Sequence, residues 1–308
     1  MYIEKRRLGN SIKYYLVHSY REKGQVKKLR RFLGRNLSPG QLDSIKESVS
    51  VQIRRELELF NTEVFEFSLT PKQVQRLNKM DKIMEICHLE EFDWKLFPEQ
   101  FTYHTNAIEG STVKLDEVPK ILHKEKVSDE EEIETQGVAA SIDYVKRTKE
   151  ELSLKLILNI HNICFKGSKH FAGKFRDVEV VIRNARGEII HRGVPASEVK
   201  DHLEELAKWY KINKKRFKPL VLAALIHNQF EDIHPFQDGN GRGGRLLLNY
   251  ILIKNNYPPI NISLEDRQIY YSSLQEYHKS HDIKPTLQFL VNQYKKTLKQ
   301  VPTKCTKK

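Results

Sequence analysis

The sequence predicts a mostly α-helical fold with one β-hairpin and a small, basic β-rich element at its N-terminal end. Apolar residues recur at helical spacing through much of the chain, most clearly in residues 219–233, which contain no internal proline or glycine. Residues 178–195 alternate apolar and polar side chains on both sides of an Arg-Gly pair, which predicts a hairpin. Residues 1–36 divide into three strand-like segments separated by turn-forming residues.

Length and composition exclude several protein classes. The chain has 308 residues and 39% hydrophobic residues, enough for a large domain and an appendage. No apolar run is long enough for a transmembrane helix, and the first ten residues do not resemble a signal peptide. Cys87, Cys164 and Cys305 have neither disulfide nor zinc-site spacing, so a cytoplasmic protein is expected. The net charge of +13 favours acidic partners such as ATP, nucleic acid or acidic proteins.

The N-terminal element, residues 1–36, is basic and contains interleaved aromatic residues. Strands are expected at 2–9, 10–20 and 24–34, with turns at Gly9-Asn10 and Lys23-Gly24. Lysine and arginine side chains on such a sheet, together with Tyr14, Tyr15 and Tyr20, could bind nucleic acid. The alternative, which we prefer, is a solvated sheet whose basic residues protect its edges from aggregation.

Helical segments follow the boundary at residues 36–40. Residues 37–95 are expected to form a helical packing region, with one helix at 41–60 and another that opens at Thr70-Pro71 and runs to about Phe92. The chain is expected to end in a basic tail at 299–308. Periodicity and capping residues predict further helices at 101–109, 129–148, 154–167, 197–209, 219–233, 246–254, 264–278 and 285–298.

Residues 234–245, HPFQDGNGRGGR, have the composition of a phosphate-binding loop between two apolar helices. Gly239, Asn240 and Gly241 are residue types that tolerate positive φ, so their N–H groups can converge on an anion. A helix is expected to begin near Gly243, and its free N–H groups also favour an anion. Arg242 and Arg245 add donors that suit phosphate oxygens.

Two further residues of this loop give it catalytic potential. Asp238 offers a hard oxygen ligand of the kind that holds Mg²⁺ jointly with substrate phosphates. His234 can accept a proton near neutral pH. The alternative is a glycine-rich solvated loop with incidental charges, and the density of suitable residues argues against it.

The loop resembles the motif of the Fic family, HPFx(D/E)GNGRxxR, and every defined position matches. The resemblance implies a Fic-fold helical core at about 96–298 and transfer of AMP from ATP, with Mg²⁺, to a Tyr, Ser or Thr hydroxyl of a target protein. It also implies a role for each residue of the motif. His234 would be the general base, Asp238 the Mg²⁺ ligand, Gly239, Asn240 and Gly241 the cradle of the α- and β-phosphates, and Arg242, Gly243, Gly244 and Arg245 the remainder of the phosphate site.

Members of the Doc type carry a lysine at the position of Gly241 and act as kinases, so the glycine here implies AMP transfer. A second resemblance lies upstream. Thr105, Glu109 and Gly110 match the Fic inhibitory motif (S/T)xxxE(G/N), on a helix expected at about 101–110. The resemblance implies that Glu109 pairs with Arg245, which then cannot hold the γ-phosphate. Such a pair is physically plausible because a carboxylate competes with phosphate for the same guanidinium.

The hairpin at about 178–194 corresponds by resemblance to the Fic flap, which holds the target protein by strand addition. Ile182, Arg183, Asn184 and Ala185 would lie nearest the nucleotide. By resemblance Tyr270 and Tyr271 lie near the adenosine, although two core tyrosines are an equally good interpretation. Some relatives carry an asparagine at the position of His278. A structural role is preferred for His161 on the helix at 154–167.

Several alternatives stay open on the sequence alone. The same site could remove AMP, with Glu109 positioning the attacking water, or could transfer another group such as UMP or phosphocholine. A nucleic-acid-binding regulator acting through residues 1–36, with a vestigial pocket, is a different class of protein, and the intact His234 argues against it. Self-modification and a homodimer are open, no membrane association is expected, and neither the target nor the activating signal can be read.

Overall fold

A computed structural model describes residues 1–9, 11–22, 25–60, 71–81, 92–183 and 187–300, which fall into two compact units, Met1–Ser68 and Leu69–Lys308. The domain boundaries expected at 36, 95 and 298 stay a prediction. Several residues singled out in the sequence lie outside the described residues; these are Asn10, Lys23, Gly24, Thr70, Cys87, Asn184, Ala185, Arg186 and the tail at 301–308.

The first unit is an antiparallel meander with one helix against it. The three strands follow each other in the order β1 (Tyr2–Leu8), β2 (Ser11–Glu22) and β3 (Gln25–Arg35), which confirms the predicted strands. The helix is α1 (Pro39–Phe60). Leu16, Leu33 and Ile53 form the buried cluster between sheet and helix. The stripe of apolar residues in α1 therefore serves a small core of this unit's own.

Within the residues that the structure describes, the regular elements of the second unit are helices and one two-stranded hairpin. Its elements are, in chain order, α2 (Pro71–Asp81), α3 (Phe97–Ile108), α4 (Val118–Leu122), α5 (Glu130–Arg147), α6 (Leu154–Phe165), β4 (Val181–Arg183), β5 (Ile189–Arg192), α7 (Val199–Asn213), α8 (Pro219–Ile233), α9 (Asn240–Lys254), α10 (Arg267–Ser280) and α11 (Lys284–Gln300). Short 3-10 turns precede α7 and α10, at Ala196–Glu198 and Leu264–Asp266. The mostly helical fold class predicted from the sequence is confirmed.

Local sequence explains how α5 and α6 begin and how closely they pack. Asp129 and Ser153 are N-caps whose side-chain oxygens accept the N–H groups of Glu132 and Leu156. A β-carbon on Gly137 would lie 2.1 Å from the carbonyl oxygen of Cys164. The absent side chain therefore lets the two helix backbones come into direct contact.

Helix α8 is the centre of the second unit and leads directly into the loop at 234–239. It contacts α2, α7, α9, α10 and α11, and every residue from Leu220 to Ile226 is 0% exposed. This explains the apolar sequence of the helix on all sides. Among the helices that the structure describes, none is both long and apolar enough to cross a membrane.

The hairpin is shorter than the alternation of residues 178–195 predicts. Strands β4 and β5 pair antiparallel, with a register shift between Ile182 and Arg183. The flanking carbonyls of Val178 and Val194 accept hydrogen bonds from the guanidinium of Arg176. Because these carbonyls bond to a side chain, the strands end closer to the turn than the sequence suggested.

Candidate active site

The loop between α8 and α9 reverses the chain at two residues with left-handed backbone. His234 caps α8 with φ 52° and ψ 62°, and Gly239 precedes α9 with φ 82°. The prediction that α9 begins near Gly243 is wrong, because the helix begins at Asn240. Asn240 and Gly241 accordingly have helical backbone, and Gly239 alone of the three predicted cradle residues uses positive φ.

The side chain of Asn240 closes the loop. Its Oδ1 accepts the N–H of Phe236, and its Nδ2 donates to the carbonyl of Phe236, both at 2.8 Å. Asn240 is 3% exposed. Its amide group is therefore committed to loop shape, and its backbone N–H is the group left to face an anion at the start of α9.

Three of the four glycines at positions 239–244 leave no room for a β-carbon beside the neighbouring side chains as they stand. A β-carbon on Gly239 would lie 2.3 Å from the Phe165 ring. At Gly241 it would lie 2.2 Å from Oε1 of Glu109, and at Gly244 it would lie 2.2 Å from Oε1 of Glu231. Gly243 has more room, since the Phe230 ring is 3.5 Å away. Side chains from three other helices thus approach the backbone of α9 at its first turns.

His234 has a neutral imidazole, which is the form that can accept a proton. Burial, reinforced by the neighbouring His191, lowers its pKa to about 4, so the imidazole is neutral near pH 7. Its Nδ1 lies 3.3 Å from the carbonyl oxygen of Glu231. A proton on Nδ1 would be directed at that carbonyl, which leaves Nε2 as the lone pair available to a hydroxyl.

Arg176 fixes the backbone around His234, a role that no local pattern in the sequence predicted. Its Nε donates to the carbonyl of His234 at 2.7 Å, and its Nη2 lies 3.3 Å from the carbonyl of Ile233. The same guanidinium holds both ends of the hairpin through Val178 and Val194. One buried arginine therefore ties the hairpin to the residue that caps α8.

Asp238 presents a half-exposed carboxylate beside the start of α9. Its Oδ1 accepts the N–H of Gly239 at 2.6 Å, and its Oδ2 lies 3.5 Å from Nζ of Lys169. Arg242 approaches Oδ1 at 3.8 Å. A single accessible carboxylate next to an anion-binding helix end fits Mg²⁺, which is commonly held by one or two carboxylates together with substrate phosphates.

Arg242 is held under the loop by a carboxylate and a ring. Its Nη1 pairs with Glu134, and its guanidinium lies 4.4 Å from the centre of the Phe165 ring. Within the part of the chain that the structure describes, its buried Nε has no hydrogen-bond partner. Glu134 also approaches Lys169 at 3.4 Å. Glu134 and Lys169 were not identified from the sequence, since contacts between residues distant in sequence leave no local pattern.

Arg245 is bound by two residues of the upstream motif, Thr105 on helix α3 and Glu109, which caps the C-terminal end of that helix. Its Nε donates to Thr105 Oγ1 at 2.7 Å, and its Nη2 donates to Thr105 O at 2.9 Å and to Glu109 Oε1 at 2.7 Å. Burial would lower the pKa of Arg245, but the Glu109 carboxylate raises it. Its buried Nη1 has no partner among the described residues. Gly110, at φ 100°, lies just after the Glu109 cap, as expected.

Glu231 is a buried acid that the sequence did not single out. It is 5% exposed, and burial raises its pKa to about 8, with Arg245 opposing the shift. Its Oε1 has no hydrogen-bond partner within the described ranges. The side chain is therefore protonated at neutral pH, which avoids a third charge next to the Glu109–Arg245 pair.

The loop and its surroundings match a known family. Residues 151–252 correspond to the family model described as Fic/DOC. The chain contains a Fic domain. A protein adenylyltransferase Fic from Aedes aegypti is 32% identical over 211 residues, which cover 65% of this chain and 40% of that protein. The chain spans less than half the length of the curated relatives it matches.

Solved structures share the fold. A Fic domain-containing signalling protein from Bacteroides thetaiotaomicron superimposes with a TM-score of 0.61 at 22% identity, covering 80% of this chain and 93% of that one. IbpAFic2, solved in complex with adenylylated Cdc42, superimposes with a TM-score of 0.52 at 14% identity and covers 83% of this chain and 81% of that one. These likenesses establish the Fic fold.

Tyr270 and Tyr271, which lie near the site of this Fic domain, are hydrogen-bonded to other residues of the domain. Tyr270 is 1% exposed, and its hydroxyl lies 2.9 Å from Nε2 of His227. Tyr271 donates to the carbonyl of Ile108 at 3.1 Å, at the end of α3. Tyr270 is thus a core residue that lies 5.8 Å from Arg245, and Tyr271 braces the helix that carries Glu109. Contact of either with adenosine stays a prediction.

The remaining predicted residues lie on the hairpin and on α6. Ile182 is half-buried, and Arg183 donates to the carbonyl of Gly187 at 2.7 Å. His161 has a structural role, as preferred. Its Nδ1 accepts the N–H of Gly173 at 2.9 Å, so its Nε2 donates to the carbonyl of Asp238 at 3.0 Å. It is a structural histidine that supports the loop at 234–239.

Proposed function

We propose that the Fic domain transfers AMP from ATP to a Tyr, Ser or Thr hydroxyl of a target protein and that Glu109 restrains this activity. The observation that carries the proposal is the convergence, in one turn, of a neutral His234 with the N-terminal end of α9 and two buried arginines. Arg242 Nε and Arg245 Nη1 are each without a partner in the described structure. Unpartnered buried donors at a helix N-terminus suit an oligophosphate.

The proposed step follows from these groups. The hydroxyl oxygen attacks the α-phosphorus of ATP, the bond from that phosphorus to the bridging β-phosphate oxygen breaks, and pyrophosphate leaves. His234 accepts the hydroxyl proton at Nε2. The N–H groups of α9 and the guanidinium groups of Arg242 and Arg245 stabilise negative charge on the phosphates. The relatives named adenylyltransferases support AMP as the transferred group.

Asp238 is the residue that would hold Mg²⁺ with the phosphates. A bound Mg²⁺ would neutralise part of the negative charge of the phosphates. Lys169, 3.5 Å from the same carboxylate, would keep that side chain oriented.

The restraint is a competition for one guanidinium. Glu109 Oε1 accepts from Nη2 of Arg245, so a γ-phosphate would have to displace a charge-assisted hydrogen bond. The Glu109 side chain is 32% exposed, which leaves it free to move away without unfolding α3. Nucleotide in the restrained state would be held in an unproductive position.

The target protein would add a strand to the hairpin of β4 and β5, a mode that uses main-chain hydrogen bonds and tolerates varied sequences. By analogy with IbpAFic2 and adenylylated Cdc42, one acceptor is a separate folded protein. Self-modification, a homodimer and a cytoplasmic location belong to the same proposal.

The test uses ATP labelled at the α-phosphate, Mg²⁺ and a cell lysate. Glu109→Gly is expected to label protein, the wild-type chain to label little, and Glu109→Gly combined with His234→Ala to label none. Absence of label from Glu109→Gly, with ATP binding intact, would contradict AMP transfer. In that case release of AMP from a pre-labelled protein by wild type, abolished by Glu109→Gly, would establish the alternative of AMP removal.

A second candidate function belongs to the first unit and is binding of single-stranded nucleic acid. Glu4, Tyr15 and Phe32 are aligned across the three strands and share a face. Phe32 is 52% exposed and lies 5.4 Å from Tyr15, whose ring also contacts Arg6. An exposed phenylalanine beside a half-buried tyrosine and a cation is suited to base stacking. Phe32→Ala should weaken binding of a fluorescent oligonucleotide at least about tenfold, while Ile269→Ala, another exposed apolar residue, should not.

A further inference from the structure

Three metal-ligating side chains converge next to the candidate active site. His191 lies on β5, Asp232 in the last turn of α8 and His278 on α10. Their donor atoms all lie within 4.8 Å of one another. The ring of His191 lies 6.5 Å, centre to centre, from that of His234. The Mg²⁺ role argued for Asp238 does not involve any of the three.

Asp232 is the centre of the cluster. Its Oδ1 is hydrogen-bonded to Nδ1 of His278 and lies 3.9 Å from Nδ1 of His191. The two imidazole rings stack with centroids 3.9 Å apart and planes 12° apart. Both histidines therefore direct the same ring nitrogen towards one carboxylate oxygen.

The second ring nitrogen of His191, Nε2, faces a backbone carbonyl, as the non-ligating nitrogen of metal-binding histidines often does. Its Nε2 lies 2.9 Å from the carbonyl oxygen of Asp232. A proton on Nε2 directed at this carbonyl leaves the Nδ1 lone pair for an ion.

We propose that His191, Asp232 and His278 bind a divalent transition-metal ion of the zinc type where the hairpin meets the helical core. Two imidazoles and one carboxylate are a ligand set used by zinc sites with one open position. The same set disfavours Mg²⁺, which prefers oxygen ligands in octahedral geometry. The site is thus separate in chemistry from the Mg²⁺ that ATP brings.

The local geometry allows an ion to enter. The three side chains are 12%, 22% and 9% exposed, in the order His191, Asp232 and His278, so the cluster is sheltered but open to solvent. Ligands of a tetrahedral zinc ion lie about 3.3 Å apart, given metal–ligand distances of about 2 Å. Because imidazole lone pairs lie in the ring planes, the two stacked rings would have to tilt apart as the donor atoms close from within 4.8 Å to this spacing.

Ion binding would have a mechanical consequence. Strand β5 already contacts α10, and the ion would join both to the end of α8, one residue before Ile233 and two before His234. The hairpin would then be fixed against the core beside the proposed base. Because the ligands are not the proposed catalytic residues, the ion should bind whether or not the chain transfers AMP.

The test is zinc titration of the full chain, without a polyhistidine tag, after chelation and in excess Mg²⁺. Calorimetry is expected to give one tight equivalent, and Co²⁺ is expected to give the visible absorption of a low-coordinate site. His191→Ala and His278→Ala should each weaken zinc binding at least about tenfold. His202→Ala is the matched control, since its Nε2 lies 3.5 Å from Glu198 in another His–carboxylate pair.

Three outcomes would overturn the site. Unchanged zinc affinity in both folded cluster variants, as judged by circular dichroism, would remove the assignment. Loss of the tight equivalent in His202→Ala would place the ion on α7. Loss of the tight zinc equivalent in His234→Ala would place the ion in the catalytic loop. If His234→Ala instead binds zinc but no longer transfers AMP, the metal site and the proposed function are separable.

A second measurement tests the consequence for the hairpin. Zinc should slow amide hydrogen exchange in β5 of the wild-type chain and leave it unchanged in His278→Ala. Equal exchange with and without zinc in the wild type would overturn the proposed link between ion and hairpin.

Discussion

Glu231 illustrates how one buried side chain can make stability depend on pH. Its pKa is about 8 in the folded chain and near the ordinary 4.5 in the unfolded chain. Between these values the folded state binds more protons, so this group's contribution to stability is lost as pH rises from 4.5 towards 8. Ionisation above pH 8 would add a charge beside Glu109.

Glu231→Gln removes this titration with little change in shape. We expect the variant to have a higher melting temperature than wild type at pH 8, with a smaller difference at pH 5, as measured by thermal unfolding in matched buffers. Glu204→Gln, at an exposed position, should show no such pH dependence. A gain that is equal at both pH values would rule out the titration of Glu231 as its cause.

Helix α3 accepts hydrogen bonds from Arg245 of α9, and two of its threonines allow a matched comparison. Thr105 and Thr102 are both buried, but only the hydroxyl of Thr105 bonds to Arg245, whereas the Thr102 hydroxyl has no partner in the described structure. Thr105→Val should destabilise the chain by about 1–3 kcal/mol because it leaves the Arg245 Nε without an acceptor.

Thr102→Val should be neutral or slightly stabilising, since no hydrogen bond is lost. Chemical denaturation of both variants measures the difference. Equal effects would mean that the Thr105 hydroxyl contributes nothing specific to the attachment of α3.

Elements whose ends are set by local residues could be predicted from the sequence. The acidic start of α5 and the glycine after α3 are examples, because a cap or a positive φ acts within a few residues. The start of α9 and the length of the hairpin could not be predicted. The first depends on the Asn240 side chain bonding to Phe236, and the second on Arg176 taking carbonyls that a strand would use.

The same reasoning applies to the site. The motif identified the residues of one loop, and the upstream motif identified Glu109. Arg176, Glu134, Lys169 and Glu231 were missed because their roles come from contacts between elements far apart in sequence. Asn184 and Ala185 stay predictions, since they lie outside the described residues.

At the scale of the whole molecule, the second unit contains every residue proposed for AMP transfer, and the first unit has its own core. A fragment of residues 69–308 should therefore bind ATP as the full chain does when both carry Glu109→Gly, as measured by calorimetry. The fragment should lose any salt-dependent binding of oligonucleotides. Weaker ATP binding by a folded fragment would mean that residues 1–68 contribute to the nucleotide site.

The contact between Gly241 and Glu109 has a consequence for how such a chain can evolve. The carboxylate occupies the space that a β-carbon at position 241 would need. The lysine that the resemblance assigns to Doc-type members at this position would therefore need the Glu109 carboxylate to move out of that space. Such a move would also break the hydrogen bond from Arg245 to Glu109. A lineage that changes this glycine would thus weaken the restraint on Arg245 in the same step.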